Sequence, residues 1–172
     1  MKANFKCPSG VSKNDLFFAA THDYMTGVLN RYGFNLFISN LNFKTINDIV
    51  ALSVIDIDNL SYINNTCGHD TGDTTIKKVA DLLGEEFDVV CRWGGDEFVI
   101  LDFDNCFDEK ICQIQKKICG IFKHKKNDEK MVVKLSYGYD ELKSSLNFVS
   151  DIYNVIKSAD KKMYRYKMGQ KS

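Results

Sequence analysis

Apolar residues recur along this chain with the two periods that distinguish helices from strands. The nearly continuous apolar run from Ile49 to Ile57 predicts a strand buried on both faces, as in the centre of a sheet that helices cover. The following segment has apolar residues at i, i+3, i+4 and i+7, which predicts an amphipathic helix that Gly84 is placed to end. The residues of this helical stripe are Ile76, Val79, Ala80 and Leu83.

The first part of the chain predicts two helices separated by a turn. Residues 1–19 have the character of an N-terminal leader, a linker stub or the start of a helix, and apolar residues after Asp15 favour the helix. The turn-forming stretch at 23–27 interrupts it. A second helix restarts near Asn30 and has apolar residues at helical spacing: Phe34, Phe37, Ile38 and Leu41.

The last third of the chain predicts a helix, a strand and a final helix. Apolar residues spaced for a helix lie between Ile111 and Ile121, and the charged segment Lys123–Lys130 ends that helix. Met131–Tyr137 predicts a strand with Gly138 at its end. The final helix finishes in a basic tail, and one of its faces is predicted to be buried: Ile152, Val155, Ile156, Ala159, Met163 and Tyr166.

A hairpin of unusual chemistry lies in the middle of the chain. The apolar run Val89–Trp93 meets Gly94 and Gly95 before a second apolar run, which predicts a two-residue turn with positive φ at glycine. Asp96 and Glu97 follow at once, although like charges at a hairpin tip destabilise it unless a cation joins them. The glycines leave no side-chain wall, so a ligand can approach the backbone. The plain alternative is an exposed turn with solvated acids.

Helices that alternate with strands predict a single α/β domain with one central sheet and helices packed on it. The hairpin forces at least one antiparallel strand pair, so we expect a mixed sheet. A length of 172 residues suits one such domain and is too short for two ordinary ones.

Composition and charge narrow the possible partners. With 23 basic and 23 acidic residues, a formal net charge of zero argues against a nucleic-acid polymer or an anionic membrane as the main partner. The six cysteines form no CxxC pair and predict reduced thiols rather than a zinc site or a disulfide framework. The chain has no apolar run long enough to span a membrane and no signal-peptide core at its N-terminus. We therefore expect a cytoplasmic protein.

Four acids dominate the chemistry that the residues themselves predict. If the strand that ends in Asp56 and Asp58 lies beside the hairpin, these acids converge with Asp96 and Glu97 at one edge of the sheet. Carboxylates without histidine or cysteine are the ligand set of a hard cation such as Mg²⁺, and two such ions can clamp a phosphoryl group. The alternative is that these acids are solvated strand-end residues that never meet.

The polar residues after the buried strand suit two interpretations. Asn64 and His69 fit an ordinary turn or helix start as well as a ligand site. Asp70 and Asp73 lie where acids favour the first turn of a helix. None of these residues decides the function alone.

The chain nevertheless resembles the GGDEF domain of diguanylate cyclases over residues 20–172, in both the order and the spacing of its motifs. The five-residue motif alone would be weak, whereas the matching blocks together are specific. These blocks are Asp23–Phe34, Asp56–Asp58, Ile63–Asn64, Gly68–Asp73, Gly94–Phe98, Ala159–Tyr164 and Lys167.

The resemblance implies a palm-like α+β fold related to nucleotidyl cyclases, with helices on both faces of the sheet and the GGDEF turn on the hairpin. It implies an enzyme of bacterial second-messenger signalling that condenses two GTP molecules into cyclic di-GMP and releases pyrophosphate. The reaction would be a Mg²⁺- or Mn²⁺-dependent attack of a ribose 3′-hydroxyl on an α-phosphate, with two ions in each half-site. Since each domain binds one GTP, the resemblance also implies a two-fold homodimer, at least a transient one.

The resemblance assigns metal and acid–base roles to specific residues. Asp56, the backbone carbonyl of Ile57, Asp96 and Glu97 would hold the metal ions. Asp96 would also be the catalytic group that helps to deprotonate the attacking hydroxyl.

The same resemblance implies the substrate contacts. Asn64 and Asp73 would bind the guanine edge, and a carboxylate that accepts both the N1 and the amino protons favours GTP over ATP. His69 would lie against the nucleotide, and Gly94 and Gly95 would let it approach the backbone. The other substrate-binding positions are Leu60, Lys167 and Lys171, with Lys167 neutralising the triphosphate.

The chain departs from the family pattern among the cations that face the phosphates. Leu60 and Ser61 stand where the family has Phe-Lys, and loss of that lysine could cost about tenfold to a hundredfold in rate. Asn65 replaces the usual aspartate. The tail from Lys167 is one residue short of the family's K-x-x-G-R spacing, which leaves open whether Lys171 replaces the arginine.

These departures leave three hypotheses. The first is an active diguanylate cyclase, supported by its intact acids and Asn64. The second is a catalytically weakened module that binds GTP or another nucleotide for regulation, because Ser61 and the irregular tail remove cations. The third is a palm-type cyclase or oligonucleotide synthetase for another base, against which Asp73 argues. The chain is either a domain excised from behind an upstream sensor or a stand-alone domain regulated by assembly or partner proteins.

The inhibitory product site of the family, R-x-x-D, is degenerate in this chain. Asp88 stands at the aspartate position, but Glu85 stands at the arginine position, and an anion cannot bind the phosphates or the guanine edge of the product as arginine does. We expect no product inhibition through this site when initial rates are measured against added cyclic di-GMP. Inhibition in the low micromolar range that Asp88→Ala abolishes would contradict this expectation.

Overall fold

Helices and strands alternate in the structure largely as the sequence predicts. A computed structural model describes residues 10–41, 48–104, 106–121, 124–126, 129–142 and 148–169. The described helices are α1 (Lys13–Thr21), α2 (Arg31–Ser39), α3 (Leu60–Cys67), α4 (His69–Glu86), α5 (Phe107–Ile121) and α6 (Phe148–Gly169). The described strands are β1 (Ala51–Ile57), β2 (Val89–Arg92), β3 (Glu97–Asp102), β4 (His124–Lys126), β5 (Glu129–Met131) and β6 (Leu135–Glu141).

Four strands form the central sheet in the order β2–β3–β1–β6, and each neighbouring pair is antiparallel. The antiparallel pair that the hairpin forces is therefore confirmed. A mixed sheet was expected, but all neighbouring strands of this sheet are antiparallel. β1 and β2 run in the same direction and do not pair, because β3 lies between them. Within the described residues, a single bridge between Leu29 and Cys91 supplies parallel pairing. The connectivity is β-α-β-β-α-β with helical crossovers.

Each face of the sheet has its own hydrophobic core, as expected for helices on both faces. Ile55 and Ile57 of β1 pack on the face that α3, α4 and α5 cover. Leu52 and Val54 pack on the opposite face, which α2 and α6 cover. Because alternate residues of β1 serve opposite cores, the whole strand is buried, and this explains its continuous apolar run. None of the described helices is both long and apolar enough to cross a membrane.

Two predicted boundaries differ from those observed. α4 continues past Gly84 to Glu86, because the helix ends where the buried Phe87 leaves it and donates its N–H to the Leu83 carbonyl at 2.9 Å. The charged segment expected only to end α5 contains the β4–β5 hairpin, and Met131 ends β5 instead of opening the next strand. A search for apolar periodicity cannot detect such a polar hairpin.

Gly138 lies in the middle of β6, not at the end of the strand as predicted. A Cβ at this position would come within 2.2 Å of the Met163 backbone nitrogen and 2.4 Å of the Ala159 carbonyl oxygen. The missing side chain therefore lets α6 pack directly on the strand backbone.

We expect Gly138→Ala to lower the free energy of unfolding by about 1–3 kcal/mol, because a methyl group there must push α6 away from the sheet. Urea denaturation measures this change. Gly84→Ala is the matched control: a Cβ added there would meet no atom within 4 Å, and alanine in an exposed helix is expected to stabilise by about 0.5–1 kcal/mol. An unchanged unfolding midpoint for Gly138→Ala would show that the crossing is not tight.

Candidate functional site

The acids of β1 and of the hairpin meet at one edge of the sheet. Asp56 is opposite Glu97 in the β1–β3 register, and the Ile57 N–H donates to the Asp96 carbonyl at 3.1 Å. Asp58 follows directly after β1 and is only 9% exposed. The structure thus brings together the acids that the sequence predicted to converge if β1 lay beside the hairpin.

Burial and the repulsion between neighbouring carboxylates favour the binding of a cation to this cluster of acids. Burial raises the pKa of Asp56, Lys167 opposes the shift, and Asp96 and Asp58 add to it. Burial also raises the pKa of Glu97, and the charges of Asp56 and Asp96 raise it further. A divalent ion would reverse these effects, because it favours the charged form of every carboxylate nearby.

Lys167 supplies the cation that faces Asp56 in this structure. Its ammonium donates to Asp56 Oδ1 and lies 3.7 Å from Asp58 Oδ1. The Ser136 hydroxyl donates to the same Asp58 oxygen at 2.8 Å. The lysine predicted to meet the triphosphate therefore lies beside the predicted metal ligands.

The loop that presents Asp96 is wider than predicted. Trp93–Asp96 lie between the ends of β2 and β3, and neither Gly94 nor Gly95 has a positive φ. The predicted two-residue turn is wrong, because the N–H groups of Trp93 and Gly94 both donate to the Glu97 carbonyl, at 2.8 and 3.2 Å. A Cβ on Gly94 would approach Glu97 Oε2 to 2.8 Å, whereas one on Gly95 would meet no atom within 4 Å. The second glycine therefore leaves room for a ligand.

Two arginines hold this loop. Arg92 donates to the Gly95 carbonyl at 2.8 Å and to Asp23 Oδ1 at 2.9 Å. Arg31, the first residue of α2, donates to the Trp93 carbonyl and places its guanidinium carbon 4.5 Å from the centroid of that ring. Neither arginine has a role among the predictions made from the sequence. The available signals were the presence of Arg31 in a matching block and of Arg92 just before the glycine-containing loop.

The predicted guanine-binding residues lie at the corner between α3 and α4, where Gly68 has a φ of 90°. A Cβ on Gly72 would come within 1.7 Å of Asn64 Oδ1, so the glycine lets the amide pack against α4. This amide oxygen is buried and has no hydrogen-bond partner among the described residues. His69 and Asp73 are exposed on the same corner. The structure therefore places these three residues on the two helices that meet at Gly68.

The remaining predicted substrate positions differ in their exposure to solvent. The Leu60 side chain is 8% exposed and belongs to the core, so a contact from this position would use the backbone at the start of α3. Ser61, the next residue, is exposed. Lys171 lies outside the described residues. At the degenerate inhibitory site, Lys117 lies 3.6 Å from Glu85, while Asp88 is exposed.

The donor set fits a metal ion that arrives with phosphates. Within the described ranges, no group of three or more His, Cys, Asp or Glu side chains is arranged to hold a metal ion. Mg²⁺ in phosphate sites takes one or two carboxylates and completes its shell with phosphate oxygens and water. Asp56 and the acids of the neighbouring loop match that pattern.

Comparison with known proteins identifies the family. A family model described as "Diguanylate cyclase, GGDEF domain" matches residues 20–172. The chain belongs to the GGDEF family. Among solved GGDEF structures, the GGDEF domain of DgcB from Caulobacter crescentus in complex with c-di-GMP is similar, with a TM-score of 0.71 and 25% identity over 87% of this chain and 91% of that one.

Two curated relatives contain segments that match this chain. Diguanylate cyclase DgcN of Escherichia coli (strain K12) is 35% identical over 127 residues, which cover 70% of this chain. Cyclic di-GMP phosphodiesterase NbdA of Pseudomonas aeruginosa is 37% identical over 87 residues, which cover 48% of this chain. The matches span 31% and 11% of these relatives' own lengths.

The ion pair of Asp23 with Arg92 generates a prediction about this GGDEF loop. Burial would raise the pKa of Asp23, but hydrogen bonds from Thr26 and Arg92 and the arginine charge outweigh it and lower the pKa below its ordinary 3.8. A lowered pKa in the folded state means that the stabilisation is present above pH 3.8 and is lost as the pH falls through the folded-state value. We expect a coupling of about 1–2 kcal/mol at neutral pH in a double-mutant cycle of Asp23→Asn and Arg92→Gln.

Urea denaturation of the four proteins measures this coupling. The exposed pair of Glu86 with Lys117, 2.9 Å apart, is the control and should couple less strongly, because water screens exposed charges. Strictly additive effects of the Asp23 and Arg92 substitutions would show that the ion pair does not stabilise the loop.

Proposed function

We propose that this GGDEF domain is an active diguanylate cyclase that condenses two GTP molecules into cyclic di-GMP and releases pyrophosphate. The observation that favours it most is the pairing of Asp56 with Glu97, which puts the loop of Asp96 beside the end of β1. Family membership and the positions of Asn64 and Asp73 on the two helices that meet at Gly68 support the same function.

The acids at the sheet edge would hold two Mg²⁺ or Mn²⁺ ions through Asp56, the Ile57 carbonyl, Asp96 and Glu97. When bound, the ions supply charge neutralisation along the triphosphate. Asp96 accepts the proton of the attacking 3′-hydroxyl, and its half-exposed position on a loop leaves it accessible to substrate. Lys167 offers its ammonium to the phosphate oxygens.

Guanine selectivity would come from the α3–α4 corner. The Asp73 carboxylate accepts the N1 and amino protons of guanine, a pattern that adenine cannot supply. Asn64 binds the same edge from α3, and His69 lies against the nucleotide. Asn64 and Asp73 come from adjacent helices, α3 and α4, which are joined at Gly68. The turn at Gly68 would therefore set the distance between the two side chains.

A two-fold dimer follows from the chemistry. One domain has one set of acids and one guanine corner, whereas the product joins two nucleotides. The 3′-hydroxyl of one GTP must therefore reach the α-phosphate of a second GTP on a facing copy. An upstream sensor or a partner protein that brings two copies together would control the rate.

A catalytically weakened GTP-binding regulatory domain is the second candidate. The observation that favours it is Ser61, an uncharged residue where the family has a lysine. A segment that matches this chain also occurs in a relative named as a cyclic di-GMP phosphodiesterase.

One assay separates these functions. Purified protein is incubated with Mg²⁺ and either GTP or ATP, and the products are identified by mass spectrometry, with Asp96→Ala as the inactive control. Cyclic di-GMP from GTP supports the cyclase. Binding of GTP without turnover, even at high protein concentration, favours the regulatory domain, and an adenine-containing product contradicts both. Undiminished product from Asp96→Ala would remove this residue as the base.

We expect Ser61→Lys to raise kcat by about tenfold to a hundredfold, because it restores a cation beside the triphosphate in the transition state. Ser61 is exposed in the first turn of α3, so a long side chain fits without disturbing the core. Ser61→Gln is the matched control for side-chain length without charge. Equal initial rates for the two variants would show that no cation acts from this position.

We expect Gly72→Ala to weaken GTP binding by about tenfold or more, because its methyl group must displace the Asn64 amide. Isothermal titration with a non-hydrolysable GTP analogue measures the affinity. Gly84→Ala on the same helix has open space for its methyl group and should bind as the wild type does. If the two variants bind equally well, Asn64 is not a guanine ligand.

A further inference from the structure

Lys167 occupies a position that the metal ions of the proposed reaction would also require. Its ammonium donates to Asp56 Oδ1 and lies 3.7 Å from Asp58 Oδ1, so one cation serves two acids. The side chain of Asp56 is 11% exposed and that of Lys167 is 24% exposed. The pair is therefore largely removed from water, and its charges are screened less than those of an exposed pair.

A buried carboxylate needs a positive partner. Without Lys167, Asp56 would face the charges of Asp58 and Asp96, and an uncompensated buried charge is strongly destabilising. Lys167 also lies near the carboxyl end of α6, where the helix dipole favours a cation. The carboxylates of Asp56 and Asp58 and the dipole of α6 thus all stabilise the Lys167 ammonium at this position.

We propose that Lys167 is a resident counter-cation of Asp56, which a divalent ion must displace before it can bind there. This inference rests on the proposed function for the identity of the metal-binding acids. A divalent ion alone gains Asp56 but leaves the lysine ammonium without its partner. An ion that arrives with a triphosphate gives the ammonium a new anionic partner, so metal and nucleotide enter together.

The arrangement of the acids agrees with this coupling. Within the part of the chain that the structure describes, the side chains form no metal site of three or more His, Cys, Asp or Glu. The missing ligands would be the phosphate oxygens, which are also the new partners of Lys167. The same triphosphate would therefore supply oxygen ligands to the ion and a new anionic partner to the Lys167 ammonium, which makes the coupling positive.

The test measures Mn²⁺ binding to the full chain without nucleotide, from the electron paramagnetic resonance signal of free Mn²⁺. Lys167→Met should bind Mn²⁺ about five- to tenfold more tightly than the wild type, because the competing cation is gone. Lys167→Arg keeps the charge and should resemble the wild type. The matched control is Lys162→Met, which removes a lysine of the same helix that pairs with Asp140 at 3.2 Å, and it should leave Mn²⁺ affinity unchanged.

A second titration includes a non-hydrolysable GTP analogue. The advantage of Lys167→Met should then disappear or reverse, because the wild-type lysine now pairs with the triphosphate. Circular dichroism checks folding, and Lys167→Gln provides the same comparison if the methionine variant does not fold.

The outcomes distinguish this inference from the proposed function. Mn²⁺ affinity of the folded Lys167→Met and Lys167→Gln variants that is equal to or weaker than that of the wild type overturns the inference, even if the protein makes cyclic di-GMP. Absence of GTP binding and turnover in the wild type overturns the proposed function, whereas tighter Mn²⁺ binding by the variants would still show that Lys167 competes for Asp56.

Discussion

The register between β1 and β3 is the constraint on which the site depends. It places Asp56 opposite Glu97 and brings the backbone of Asp96 next to Ile57. Because side chains alternate along a strand, a slip by one residue would move Asp56 to the opposite face and exchange the two cores. The buried residues of β1 on both faces oppose such a slip. Hydrophobic burial thus fixes the position of the acids, although the acids contribute nothing to that burial.

The same register places several negatively charged side chains close together, and neighbouring cations reduce their repulsion. Burial raises the pKa of Asp56, and the charges of Asp96 and Asp58 raise it further. Lys167 opposes this repulsion from α6, at the end of β1. Arg92 and Arg31 donate hydrogen bonds to the loop backbone, and the charge of Arg31 also lowers the pKa of Glu97. The acids are therefore held in place by neighbours that do not permanently neutralise all of them.

Much of the fold could be predicted because periodicity and burial have the same cause. The run at Ile49–Ile57 and the helical stripe around Ile76 produced correct elements, since each needs a buried face. The loop at Trp93–Asp96 was predicted with the wrong turn, because its shape depends on backbone hydrogen bonds to Glu97 that a pair of glycines does not specify. The mid-strand position of Gly138 was missed for a related reason. A glycine before a polar stretch looks like a strand end, and only the packing of α6 shows why the side chain is absent.

The convergence of the acids was predictable in outline, whereas their cation partners were not. The sequence separates Lys167 from Asp56 by more than a hundred residues, and no local pattern joins them. Their meeting depends on two facts of topology: β6 returns beside β1, and α6 packs on the face that Asp56 shares with Val54. Ser61 supplies no charge. Among the described lysines, Lys167 forms the ion pairs with Asp56 and Asp58. A single side chain therefore stabilises the buried carboxylate and is available to the phosphates, and these two tasks compete for one ammonium group.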